Sequence, residues 1–176
     1  MYIYAVRHGE TEYNVQYRIC GLTDLELTEN GFRQAKTLAE KAVDKNIDLI
    51  ISSPLKRAVS TSNIIAEKLK VPVVIDNRLI EQNYGIYEGK DRFDEGFLNN
   101  KRNFAFRYPE GESMLQVAYR VYGLIEEIKE KHADKNVLLV CHGGVCRIIN
   151  TYFRDMTNDE FVKYSQVNCG IEEYKL

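Results

Sequence analysis

The chain has 176 residues, of which 44% are hydrophobic and 28% charged, and a net charge of -2. That length suits one domain spanning residues 1–176, able to bury roughly two thirds of the surface its unfolded form exposes. A pI near 6.0 supplies no broad basic face, which argues against nucleic acid as a partner and leaves small anions held by a local cluster.

The first apolar run, Tyr2 to Val6, reads as a buried strand and meets Arg7 and His8 at once, too soon for a signal peptide or membrane span. No membrane partner and a cytoplasmic location are expected. Phe32, Ala35, Leu38, Ala39 and Ala42 then recur at helical spacing behind Thr28, a suitable N-cap. Ile47 to Ser52 is a second strand, and Ser53-Pro54 reads as the N-cap and first residue of a helix carrying Ala58, Ile64, Ile65 and Leu69 to a core. Val71 to Ile75 is a third strand. Ser113-x-x-Gln116 resembles a capping box ahead of a stripe of Leu115, Ala118, Val121, Ile125 and Ile128. Val137 to Cys141 is a fourth strand, a helix opens at Gly143-Gly144, and Gly170 to Lys175 is a last strand of unassigned direction. Alternating strands and helices predict an α/β fold with a largely parallel sheet covered on both faces.

In such a sheet the functional crevice lies beyond the carboxyl ends of the strands. The first strand ends in Arg7-His8-Gly9, the second leads to Arg57, and the fourth ends in His142-Gly143-Gly144. Two histidines and two arginines on one edge form a cluster whose repulsion a dianion would relieve, and the Gly-Gly helix opening offers backbone N–H groups to it. The site reads as a phosphate pocket. His132, near a helix end, reads as a solvated residue. Cys20, Cys141, Cys146 and Cys169 read as reduced thiols, with Cys141 and Cys146 in packing roles. No C-x-x-C or H-E-x-x-H spacing is present, so neither metal nor cofactor is expected.

These residues resemble the histidine phosphatases, the phosphoglycerate mutase-like superfamily. Arg7-His8-Gly9-Glu10-Thr11-Glu12-Tyr13-Asn14 is similar to the family's opening, and Gly21-x-x-Asp24-x-x-Leu27-Thr28-x-x-Gly31-x-x-Gln34-Ala35 continues it in register. Ser52-Ser53-Pro54-Leu55-x-Arg57-Ala58-x-x-Thr61, Leu79-x-Glu81-x-x-x-Gly85-x-x-Glu88-Gly89 and His142-Gly143-Gly144-x-x-Arg147 match its later blocks, so the likeness runs from Tyr2 to about Asn168. It implies a three-layer α/β/α sandwich around a mostly parallel central sheet. It also implies a phosphomonoester hydrolase acting on a small phosphorylated metabolite, with His8 as phosphoryl acceptor, Glu81 as proton donor, and Arg7, Arg57 and His142 gripping the phosphate. Asn14, Gly21, Thr23 and Gly143 fall at its phosphate- and substrate-binding positions. In this scheme His8 attacks as neutral imidazole, its other nitrogen bonded to backbone near Gly9.

The same scaffold carries cofactor-dependent phosphoglycerate mutases, which must exclude water from the site. The phosphatase is favoured because the chain stops at Leu176 with no tail to close over the pocket, is short for a mutase, and lacks the aromatic-rich form around Tyr17 to Gly21. An inactive phosphate-binding module ranks below both, since His8, Arg7, Arg57, Glu81 and His142 are all retained. Oligomeric state is left open by the sequence. Substrate specificity is assigned to an insertion at about 84–112, where Lys90, Arg92, Lys101, Arg102 and Arg107 outnumber Asp91, Asp94 and Glu95 and suit an extra acidic group on the substrate. Phe93, Phe97 and Phe104, spaced as on a helix, read as one buried face. Cys20 and Glu110 depart from the family pattern, where Gln and Gly are usual.

Overall fold

In a computed structural model that describes all 176 residues, five strands form one sheet in the order β3-β2-β4-β1-β5. They span Tyr2–Arg7 (β1), Leu49–Ser52 (β2), Val73–Ile75 (β3), Val137–Cys141 (β4) and Ile171–Lys175 (β5). β1, β2, β3 and β4 run parallel, and β5 pairs antiparallel with β1, which fixes the direction left open by the sequence. Glu29–Lys41 (α2) and Lys56–Leu69 (α3) follow the four-residue α1 at Glu12–Val15. Glu95–Lys101 (α4), Met114–Lys131 (α5), Gly143–Phe153 (α6) and Asn158–Lys163 (α7) complete the helices. None is long and apolar enough to cross a membrane.

Strand side chains alternate between two cores, as the two-residue period requires. Ile3 and Ala5 of β1, Leu49 and Ile51 of β2, and Val137 and Leu139 of β4 join Val121, Ile125 and Ile149 on the α5/α6 face. Tyr4, Val6, Ile50, Leu138 and Val140 join Leu38, Ala39, Ala58 and Ile65 on the α2/α3 face. The result is the expected three-layer sandwich.

Several local expectations are corrected. The helix expected to open at Ser53-Pro54, α3, begins at Lys56 with Leu55 as N-cap, because the Ser53 hydroxyl is engaged by the His142 ring at 2.7 Å. Phe32 and Leu115 are exposed rather than core-facing. Gly31, not Phe32, seats the first turn of α2 on the Glu10 backbone. In α5, Met114 and Val117 take the inward positions, about 100° and 160° around the helix from Leu115. The three phenylalanines do not share a helix face. α4 covers only residues 95–101; Phe93 precedes its Asp94 cap and lies on Tyr17, Phe97 packs on Tyr84 and Tyr108, and Phe104 packs on Phe161. Glu110 sits at φ 61°, a left-handed conformation that costs a side-chain-bearing residue energy and explains why glycine suits the position.

Candidate active site

Strand register builds the centre. Arg7 pairs with Cys141, and Ser52 with Val140, so the next residues of three adjacent strands, His8, His142 and Ser53, emerge side by side. Two backbone bonds extend the ladder past the strand ends: His8 N donates to the Cys141 carbonyl and Ser53 N to that of Val140, both at 3.0 Å. The His8 and His142 ring centroids are 5.1 Å apart. α3 brings Arg57 beneath them, fully buried.

The hydrogen bonds fix both tautomers. His8 Nδ1 lies 2.7 Å from the Gly9 carbonyl, which can only accept, so Nδ1 carries the proton and Nε2 presents a lone pair. This is the backbone bond anticipated near Gly9. Arg57 Nε lies 3.2 Å from His8 Nε2 and 3.2 Å from His142 Nδ1, so both of those nitrogens accept. His142 therefore carries its proton on Nε2 and donates to Ser53 Oγ. Burial, then the Arg57 charge, holds both imidazoles well below the usual histidine range, with Arg7 adding to the effect. Two neutral rings beside two guanidiniums follow.

Arg57 itself is anchored by carbonyls: Nη1 donates to Thr23 O and Nη2 to Gly21 O, each at 2.7 Å. Glu88 grips the same loop from the other side, accepting from Gly21 N, Leu22 N and the Thr23 hydroxyl. Gly21 and Thr23 thus hold Arg57 in place; like Arg57 and His142, which lie buried behind His8, they do not line the cavity, whereas Arg7, His8, Asn14, Glu81 and Gly143 do. Arg7 Nη1 donates to Gln166 O at 2.8 Å, while its buried Nε lacks a partner. Asn14 Oδ1 accepts from Thr11 N and Asn168 Nδ2, leaving its own amide hydrogens for the cavity.

Glu81 occupies the N-terminus of α6. Oε2 accepts the Gly144 N–H at 3.0 Å, and Oε1 accepts Gln82 N at 2.8 Å. The glycine pair thus corrects one expectation: the Gly144 N–H serves Glu81 and not an anion directly. A Cβ on Gly144 would lie 2.6 Å from Glu81 Oε1, so glycine is required for that approach. Behind Glu81, Arg120 of α5 donates to the Arg78 and Glu81 carbonyls and pairs with Glu112.

Several contributors escape sequence reading. Glu88 lies inside a matched block, yet its loop contacts are tertiary; Arg120 looks like an ordinary helix-surface cation. Gln166 and Asn168, which donate to the Ala5 and His8 carbonyls, lie in an irregular segment with no periodic signal. The cavity spans about 310 Å³. No three His, Cys, Asp or Glu side chains converge in it as metal ligands.

A sheet covered on both faces, with two neutral imidazoles and two arginines at its carboxyl edge, defines an α/β enzyme of the phosphate-handling class. The chain belongs to the histidine phosphatase superfamily (branch 1), whose family model matches residues 3–176. It is 35% identical over 144 residues to phosphoserine phosphatase 1 of Hydrogenobacter thermophilus, covering 78% of this chain and 68% of that protein. It is 38% identical over 148 residues to the "Probable phosphoglycerate mutase GpmB" of Escherichia coli, covering 80% and 69%. The native structure of mycobacterial glucosyl-3-phosphoglycerate phosphatase superposes with a TM-score of 0.86 at 27% identity, covering 98% of this chain and 88% of that one.

Proposed function

We propose that the protein hydrolyses phosphomonoesters of small metabolites, without a metal, through a phosphohistidine on His8. The observation that carries this reading is the His8 tautomer: a neutral ring with Nδ1–H fixed on Gly9 and a lone pair on Nε2 is a nucleophile in the state that attack requires.

Entry of a phosphate lets its oxygens take over as acceptors from Arg57 and Arg7, freeing His8 Nε2. Asn14 and the Gly143 amide, at the positive end of α6, add neutral donors. His8 Nε2 then forms a bond to phosphorus as the ester P–O bond breaks, and Glu81 gives its proton to the departing alkoxide. In the second step Glu81, now a carboxylate, takes a proton from water as the water oxygen attacks phosphorus. The P–N bond breaks and its electron pair returns to Nε2. His142 supports the charge through Arg57. Phosphoryl transfer of this kind depends mainly on positioning and charge stabilisation, which two arginines provide.

Hydrolysis of a phosphomonoester panel with and without chelator, by the natural protein and by His8→Ala, tests the reading. Chelator-resistant turnover abolished by His8→Ala is expected; chelator-sensitive turnover, or full activity in His8→Ala, would overturn it. The mutase-named relatives make phosphoryl exchange between 2- and 3-phosphoglycerate the second reading, assayed with 2,3-bisphosphoglycerate present.

A further inference from the structure

Cys141 and Cys146 stand on either side of the His142-Gly143-Gly144 turn, and the chemistry proposed for the site uses neither. Strand alternation turns Cys141, with Val137 and Leu139, into the α5/α6 core, and the inner face of α6 returns Cys146 to the same core. Their sulfurs meet there at 3.5 Å, both residues fully buried. Cys169 packs in the core on the other face of the sheet, and the Cys20 thiol donates to the Thr23 carbonyl, so neither competes for these sulfurs.

A buried thiol is ordinarily a small apolar group, slow to react. This pair differs in its neighbours. Burial lowers Arg7 from the usual guanidinium range, and Cys146, as a thiolate, is the first of the charges that oppose the shift. Burial raises the Cys141 thiol well above its ordinary range, so Cys141 keeps its proton. One sulfur thus has a guanidinium for a neighbour and the other stays protonated, the division between an attacking and a resolving cysteine. Arg7, which pairs with Cys141 across the sheet, lines the cavity, as does Arg147, next to Cys146 in the chain. The cavity therefore reaches residues adjacent to both cysteines.

We propose that Cys141 and Cys146 are a site of reversible oxidation, and that a disulfide between them switches the enzyme off. The oxidant is a peroxide. Cys146 Sγ attacks one peroxide oxygen, the O–O bond breaks, and the departing hydroxide takes up the proton that Cys146 had released. Cys146 is then a sulfenic acid. Cys141 Sγ bonds to Cys146 Sγ as the S–O bond breaks, and the Cys141 proton leaves with that oxygen as water. Two thiols give up two electrons, and the peroxide becomes two waters. The contact must shorten from 3.5 Å to about 2.05 Å. Cys141 ends a central strand, paired with Arg7 and accepting from His8 N, so the first turn of α6 supplies the movement. Gly144 N, which holds Glu81 Oε2 at 3.0 Å, moves with that turn, and His142 lies on the segment the bridge closes.

The test treats the folded protein with hydrogen peroxide, alkylates it in denaturant and cuts it with trypsin, which releases both cysteines on one peptide, residues 136–147. That peptide should lose the mass of two hydrogens and escape alkylation. Turnover of the best substrate in the phosphomonoester panel should fall by about 10²-fold, the scale of an ångström of misplacement near the chemistry. Dithiothreitol should reverse both changes. A variant with Cys20→Ser and Cys169→Ser, which keeps only the pair, should behave alike, and adding Cys146→Ala to it should confer resistance. A peptide 136–147 that remains fully alkylated after peroxide, a bridged protein with full turnover, or equal inactivation when Cys146→Ala is added would each overturn the switch. The peptide map reads the bridge in the natural protein whether or not the variants fold, and whatever reaction the site performs. Failure of the bridge and failure of the phosphatase reading are therefore distinct results.

Discussion

His8 and His142 face each other with ring centroids 5.1 Å apart, joined through one Arg57 N–H that lies 3.2 Å from a nitrogen of each. That shared donor orients both rings and keeps a fixed positive charge beside them, under the position proposed for the phosphoryl group.

Arg57→Lys retains the charge but cannot reproduce one Nε–H together with the two Nη contacts to Gly21 and Thr23. Turnover should fall by about 10²-fold or more, the scale of losing one preorganised donor at a developing charge. Steady-state kinetics beside a thermal melt check it, and near-natural kcat in a folded variant would show that the shared donor is dispensable.

Glu81→Gln removes the proton that the proposed mechanism sends to the leaving group. Rates on alkyl phosphates should drop by about 10²- to 10⁴-fold, and much less on p-nitrophenyl phosphate, whose leaving group needs no proton. Because the proposed water step also uses Glu81 and is common to all substrates, the comparison is made on single-turnover phosphorylation of His8, where a uniform loss across leaving groups would remove Glu81 as the proton donor.

Arg120 acts on Glu81 at second hand, through the Arg78 and Glu81 carbonyls and the Glu112 ion pair. Arg120→Ala should lower kcat on alkyl phosphates more than on p-nitrophenyl phosphate, with little change in KM, and Arg120→Lys should recover part of the loss. If both substrates slow alike, the residue supports the fold and not the proton transfer proposed for Glu81.

The buried imidazoles also make stability depend on pH. Both are held below the unfolded value of 6.5, so the unfolded chain binds more protons once the pH falls under that value. Stability from these groups is therefore full above 6.5 and declines below it, by up to about 1.4 kcal/mol per pH unit for each ring. Urea unfolding between pH 7 and pH 5 should show a shallower decline in His142→Gln than in the natural protein; identical slopes would contradict the neutral assignment.

Much of this centre was legible because strand ends are legible: apolar runs closing on Arg7-His8 and on His142 place those residues at a sheet edge whatever the details of packing. The Ser113 capping box and the Thr28 cap were equally readable, being local backbone chemistry. Ser53 was misread because its hydroxyl answers to His142, 89 residues away. The segment 84–112 resisted for the same reason. Its phenylalanines obey helical spacing, but three different partners, Tyr17, Tyr108 and Phe161, decide where each one packs. Glu88 and Arg120 act through contacts that no periodicity encodes.

Rapid-quench trapping during turnover tests the central claim most directly. Digestion and mass spectrometry should find a phosphoryl group on the peptide containing His8, stable to base and labile to acid, and absent from His8→Ala. Full turnover with no phosphopeptide at any quench time, or phosphate on another residue, would contradict His8 as the nucleophile.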